Sequence, residues 1–149
     1  MLIDEDTMQQ IAWNVFQEML GLSCSSTDNT LPSDRPRLAA LICIFGRTKE
    51  SLVVETSPET ARIIASTMFG AAAESLSETE VNDAAGEIAN MIGGNMKGMF
   101  EGESRLSMPC VSLDEPTEPC DDEQRTWVQV AGHPILIRWR QLDGVPARV

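Results

Sequence analysis

The chain is poor in the residues on which most enzymes build a site. It has a single histidine, His133, and four cysteines, Cys24, Cys43, Cys110 and Cys120, none of them in a C-x-x-C pair. That spacing argues against a structural zinc site, and His133, in a predicted turn before Pro134, is assigned no chemistry. Basic residues are also scarce. Eleven Lys and Arg stand against twenty-three Asp and Glu, a net charge of −12. A clustered basic surface is what attracts phosphate backbones, so nucleic acid and anionic membranes are poor partners. No apolar run approaches the roughly 18 residues that would span a bilayer. The start, "MLIDEDTMQQ", lacks the positive flank and apolar core of a signal peptide, so the cytoplasm is the expected compartment.

What is present suits one folded domain. The 149 residues are 42% apolar and 23% charged, enough to bury a core. "DEDTMQQIAWNVFQEMLG" predicts a helix with Asp6 as cap, Gln9 as capping partner and Gly21 as terminator. The next stretch, to Pro36, reads as loop with room for a short edge strand. "RLAALICIFG" and "SLVVET" are strand-like, with "RTKE" turning between them. Ser57 and Pro58 open a short helix that stops at Gly70.

The strongest start signal follows. Ser77 and Glu80 form a capping box, Leu76 and Val81 a hydrophobic staple, and a helix is predicted from Glu78 to Phe100. "RLSMPCVSL" then reads as one strand, and "RTWVQVAGHPILIRWRQL" as a hairpin turning at Gly132 and His133, with the acidic loop "DEPTEPCDDEQ" between them. Helix, hairpin, two helices and three strands make an α+β order rather than a parallel alternation. A weak internal duplication is also visible, since "QEMLG" (17–21) superimposes on "ANMIGG" (89–94), placing Val15 opposite Glu87 and Glu18 opposite Asn90.

The long helix carries the chemistry. Asp83, Glu87, Asn90, Gly94 and Lys97 follow i, i+4, i+7 spacing and share one stripe. Ala85, Ile88, Ala89, Ile92, Met96 and Met99 fall on the other side as the core face. Gly86, Gly93, Gly94 and Gly98 border the polar stripe, and each glycine within a helix costs about 1 kcal/mol relative to alanine. Two readings follow from the pattern. The stripe is a solvated face and the glycines admit another element of the same chain, which is the commoner arrangement, or they let a second protein approach closely enough for Glu87 and Asn90 to reach into it. Asn95, beside the apolar face, reads as a hydrogen-bonded structural residue, and the eight methionines as packing.

"DAAGEIANMIGGNMK" followed by "LSMP" resembles the motif of the chemotaxis phosphatases CheX and CheC, in which an acidic residue precedes E-x-x-N on a long helix and a proline-containing strand follows. "ASTMFG" (65–70) and "FQEMLG" (16–21) resemble the family's preceding short helix and its first helix. Because Val15 and Glu18 replace the pair in the first repeat, the chain resembles the single-site CheX type rather than the two-site CheC type. The run "LDEPTEPCDDEQ" departs from the family pattern.

The resemblance implies an α+β fold, with a pseudo-duplicated antiparallel sheet packed against long helices. It implies a single CheX-like domain over 1–149, with repeats at roughly 4–56 and 77–142 linked by the helix at 58–69. The implied activity is hydrolysis of the aspartyl phosphate of a CheY-like receiver. Asn90 would orient the water and Glu87 would dock on the receiver's lysine, with Asp83, Gly86, Gly94 and Lys97 completing the contact. The resemblance further implies that the protein needs no cofactor of its own, the receiver supplying Mg²⁺, and that it forms a homodimer. A non-catalytic module binding a receiver or flagellar-switch protein is the alternative.

Overall fold

A computed structural model describes residues 3–142. Helix α1 (Glu5–Trp13) continues without interruption into a wider π-helical turn, Asn14–Met19, and ends at Gly21, whose φ of 69° is the left-handed conformation that stops a helix. The short strand β1 (Cys24–Ser26) follows, then the hairpin β2 (Arg37–Phe45) and β3 (Lys49–Thr56). Next come α2 (Pro58–Phe69), a single turn at Ala73–Ser75, and α3 (Glu78–Lys97). Four further strands follow among the described residues: β4 (Arg105–Leu106), β5 (Cys110–Asp114), β6 (Gln124–Val130) and β7 (His133–Gln141).

All strand pairs are antiparallel, in the order β1-β6-β7-β3-β2, with β4 and β5 both on the outer edge of β2. The order is symmetric about the β3–β7 pair. Each half of the chain lends one strand, β1 or β5, to the hairpin of the other half.

One face of this sheet makes the core. Ile42, Ile44, Leu52, Val54, Val128, Ile135 and Ile137 alternate inward and meet Met8, Ile11, Val15 and Phe16 from the first helix and Ile88, Ala89, Ile92 and Met96 from α3. Burying each large side chain contributes about 1.5–3 kcal/mol, which holds α3 flat on the sheet and fixes which of its faces looks out. A smaller cluster of Leu38, Ala61, Ala65, Leu76, Val81 and Ala84 joins α2 to the start of α3.

The opposite face carries an ion-pair network. Arg138 and Arg125 lie directly across from one another on β7 and β6, a like-charge pairing that would be unfavourable alone. Glu123 resolves it, bonding Arg125 at 2.7 Å and Arg138 at 3.0 Å. Glu55 then links Arg138 to Arg37, the latter at 3.1 Å, and Arg37 stacks 5.6 Å from the Trp127 ring. The acidic loop before β6 is thereby drawn towards this face, with Arg125 also donating to Thr117 O at 3.0 Å.

Several expectations are corrected. The cap of α1 is Asp4, which accepts from Thr7 N at 2.8 Å, not Asp6, and Gln9 instead donates to Thr126 Oγ1 at 2.9 Å. Helix α3 stops at Lys97 rather than Phe100, so Met99 lies beyond it and is exposed, and Ala85 is only half-buried. "RLSMPCVSL" is two strands with a break at Ser107–Pro109. The final hairpin turns at Ala131–Gly132, with φ of 50° and 84°, and His133 opens β7.

Candidate functional site

Helix α3 is fixed at its start by the predicted reciprocal cap. Ser77 Oγ accepts from Glu80 N at 3.1 Å, and Glu80 Oε1 accepts from Ser77 N at 3.0 Å. With Ile88, Ala89, Ile92 and Met96 buried below, the other face is determined. Asp83, Glu87, Gly94 and Lys97 are exposed along it and Asn90 is half-buried. Among the described residues, neither Glu87 nor Lys97 forms a salt bridge. Asn95, by contrast, donates to Met91 O at 2.9 Å and is occupied in the helix.

The glycines divide into two kinds. A Cβ on Gly86 would lie 3.1 Å from Pro109 Cγ, and one on Gly93 would lie 3.4 Å from Ile42 Cγ2 and 3.5 Å from Leu106 Cδ2. Both therefore serve close packing of α3 on its own sheet. Gly86, expected to contact a partner, is buried and turned to the strand. Gly94 has nothing within 4 Å of such a Cβ and leaves open space beside Asn90.

Sequence reasoning missed the part played by the segment after α3. Leu106 packs near Gly93 and Pro109 near Gly86, so Leu106–Pro109 runs antiparallel to the helix along the two turns that hold Glu87 and Asn90. At 100° per residue Asn90 projects about 40–60° from the direction of Gly86 and Gly93, which explains its partial cover by this segment, while Glu87 projects about 100° away from Gly86 into solvent. The signal available in the sequence was "SMP" itself, a proline within a predicted strand, which marks an edge or a bulge.

The surface is suited to meeting another macromolecule rather than enclosing a small molecule. A cleft of about 490 Å³ lies at the start of α3, bounded by Leu38, Arg62, Val81, Asn82 and Leu113, and includes neither Glu87 nor Asn90. Among the described residues no group of three His, Cys, Asp or Glu side chains is placed to hold a metal ion, and no helix is long and apolar enough to cross a membrane. In the first helix, Val15 is fully buried and Glu18 is exposed, so the position aligned with Glu87 presents no carboxylate.

No curated protein matches the sequence significantly. Solved structures do. A chemotaxis protein CheX from Vibrio vulnificus superimposes with a TM-score of 0.73 at 21% identity, covering 95% of this chain and 99% of that one. A chain of the CheX–CheY–BeF3–Mg²⁺ complex from Borrelia burgdorferi does so at 0.69 and 14%, covering 95% and 100%. The FliM middle domain from H. pylori gives 0.51 at 10%, covering 91% and 86%. The family model described as chemotaxis phosphatase CheX matches residues 38–130, which include the whole of α3 and the strand segment beside it. With well over half of its length matched, the chain belongs to the CheX family of chemotaxis phosphatases.

Proposed function

We propose that the protein hydrolyses the aspartyl phosphate of a CheY-like receiver domain, with Asn90 and Glu87 on α3 as the residues that act. The observation that carries this reading is the presentation of those two side chains, one turn apart, on the outward face of a helix whose other sides are packed against the sheet. The partner class is supported by the Borrelia burgdorferi CheX, solved in a complex with CheY, BeF3 and Mg²⁺.

The chemistry divides between two proteins. The receiver's Mg²⁺ and lysine neutralise charge on the acyl phosphate, leaving an in-line water to be supplied and held. The Asn90 carboxamide oxygen accepts a hydrogen bond from that water while its NH₂ donates to a phosphoryl oxygen. Water attacks phosphorus, the P–O bond to the aspartate breaks, and the products are the receiver's carboxylate and inorganic phosphate. Glu87, at the more exposed position, pairs with the receiver's lysine and docks the helix, with Asp83, Gly94 and Lys97 bordering the contact. This protein needs no metal of its own for that division of labour, and its place of action is the cytoplasm, where receivers reside.

The alternative is a module of the same fold that binds a receiver or flagellar-switch protein without hydrolysing, since a shared fold does not fix function. Mixing the protein with phosphorylated receiver and Mg²⁺ and following phosphate release separates them: accelerated loss is expected, and unaltered decay would leave only the binding module.

We also propose a homodimer joined through the sheets. The outer edge of β5 carries exposed Cys110, Ser112 and Leu113 and presents backbone groups for pairing. Light scattering at micromolar concentration is expected to give twice the chain mass, and a monomer mass would overturn it.

A further inference from the structure

The break between β4 and β5 is a β-bulge. Leu41 pairs with Cys110 and Ile44 with Leu106, so β2 uses two residues, Ile42 and Cys43, where the opposing strand uses three, Ser107, Met108 and Pro109. Such an extra residue bends the strand and re-aims a side chain, and bulges are frequent beside functional sites. Here the result is Met108, which is 89% exposed, the most exposed of the large apolar side chains among the described residues.

Met108 does not stand out on a loose loop. Ser107 N donates to Cys43 O at 2.8 Å, Cys43 N donates to Ser107 Oγ at 2.9 Å, and Ser107 Oγ donates to Met108 O at 3.2 Å. On the other side Pro109 is packed under Gly86. The backbone is thus fixed on both sides of a side chain that touches almost nothing. Scattered surface apolar residues need no explanation, but this one is held in place by four contacts at the flank of Asn90.

We propose that Met108 is an apolar anchor for the phosphorylated receiver, making contact beside the phosphate pocket while Asn90 and Glu87 enter it. The inference rests on the receiver phosphatase reading and deepens it. The occupant is the receiver because Leu106–Pro109 borders the two α3 turns that carry Asn90 and Glu87, so a protein seated on that stripe meets the bulge as well. A methionine fits the role. Its unbranched, polarisable side chain adapts to an apolar surface, and methionine is enriched in the desolvated centres of interfaces.

The experiment compares the parent, Met108→Ala, Met108→Leu and Asn90→Ala on a receiver held in its active form with BeF3 and Mg²⁺, and on the phosphorylated receiver. For Met108→Ala the dissociation constant is expected to rise roughly tenfold, the size typical of an interface anchor, with KM rising in parallel. The saturating rate, the melting temperature and the molecular mass by light scattering are expected to stay at parental values. Met108→Leu is expected to restore most of the affinity. Unchanged affinity in Met108→Ala overturns the anchor, as does a fall in melting temperature or mass, which would place Met108 in the fold or in a self-contact. In either case an inactive Asn90→Ala leaves the phosphatase reading standing. An Asn90→Ala protein as active as the parent removes that reading whatever Met108 does.

Discussion

Gly86 and Pro109 are packed tightly: a Cβ at position 86 would sit 3.1 Å from the proline Cγ, so the ring would have to give way by a few tenths of an ångström to admit one. Gly94, two turns along the same helix, faces nothing within 4 Å. Alanine in a helix interior is favoured over glycine by about 1 kcal/mol, so the two substitutions are expected to diverge. Gly94→Ala should raise stability by up to about 1 kcal/mol and, because the added methyl stands on the docking face, weaken the response to phosphorylated receiver. Gly86→Ala should lose that gain to the clash with Pro109, leaving the protein no more stable than the parent. Thermal melting of both variants checks this, and a Gly86→Ala protein that melts higher than Gly94→Ala would contradict it.

Glu55 holds two arginines on the far face of the sheet, Arg37 and Arg138, and its side chain is 5% exposed. Burial acts to lower the Arg138 pKa, but hydrogen bonds and charge from Glu55 and Glu123 outweigh it and leave it raised, so the arginine stays charged in place. Removing one partner of a buried pair leaves the other uncompensated. Glu55→Ala is therefore expected to destabilise the fold by about 3–5 kcal/mol. Denaturant unfolding measures it, and a loss below about 1 kcal/mol, the range of a surface pair, would show that the network is dispensable.

Glu50 gives a pH signature. Its residue is buried, burial raises its pKa, and the hydrogen bond from Thr48 Oγ1 at 3.0 Å only partly opposes this. A carboxyl with a raised folded-state pKa favours folding when protonated. The penalty is absent below the unfolded pKa, about 4.3, and develops as pH rises through the folded value. Glu50→Gln should thus stabilise the protein at pH 7 and lose that advantage near pH 4. Melting at the two pH values checks the sign, and a larger gain at the acidic pH would contradict it.

Glu87 is exposed and has no partner in a salt bridge among the described residues, so its loss should leave folding within about 0.5 kcal/mol of the parent. Its proposed lysine contact becomes desolvated on docking. Glu87→Ala should then weaken receiver binding by about 2–5 kcal/mol, read as a shift in the concentration dependence rather than in the saturating rate. Titration against the BeF3-bound receiver tests it; unchanged affinity would remove Glu87 from the contact.

Much of this arrangement was legible because local signals and the fold agree. Ser57–Pro58, the Ser77–Glu80 box and the periodicity of Ile88, Ile92 and Met96 placed α2 and α3 and turned the Glu87–Asn90 stripe outward. The misses have physical causes. Asp4 and Asp6 both precede the same helix, and only the geometry at Thr7 chooses between them. Gly86 and Gly94 both adjoin the polar stripe of the helical wheel, and what separates them is the segment Pro109–Val111 packed against one of them. The acidic loop is tied to Arg125 and Arg138 through a sheet order that brings positions 55, 123 and 138 together, which no local pattern encodes. The bulge at Ser107–Pro109 was signalled only by its proline and becomes visible from the register on β2.

The central claim is that Asn90 positions the attacking water, and single-turnover hydrolysis of phosphorylated receiver at saturating Asn90→Ala protein tests it most directly. Loss of one preorganised hydrogen-bonding group is expected to slow phosphate release by about 10²–10³, roughly 2.7–4 kcal/mol, with receiver affinity and melting temperature close to the parent's. A variant that binds and melts normally and releases phosphate as fast as the parent would contradict the account, and the stripe on α3 would then be only a solvated helix face.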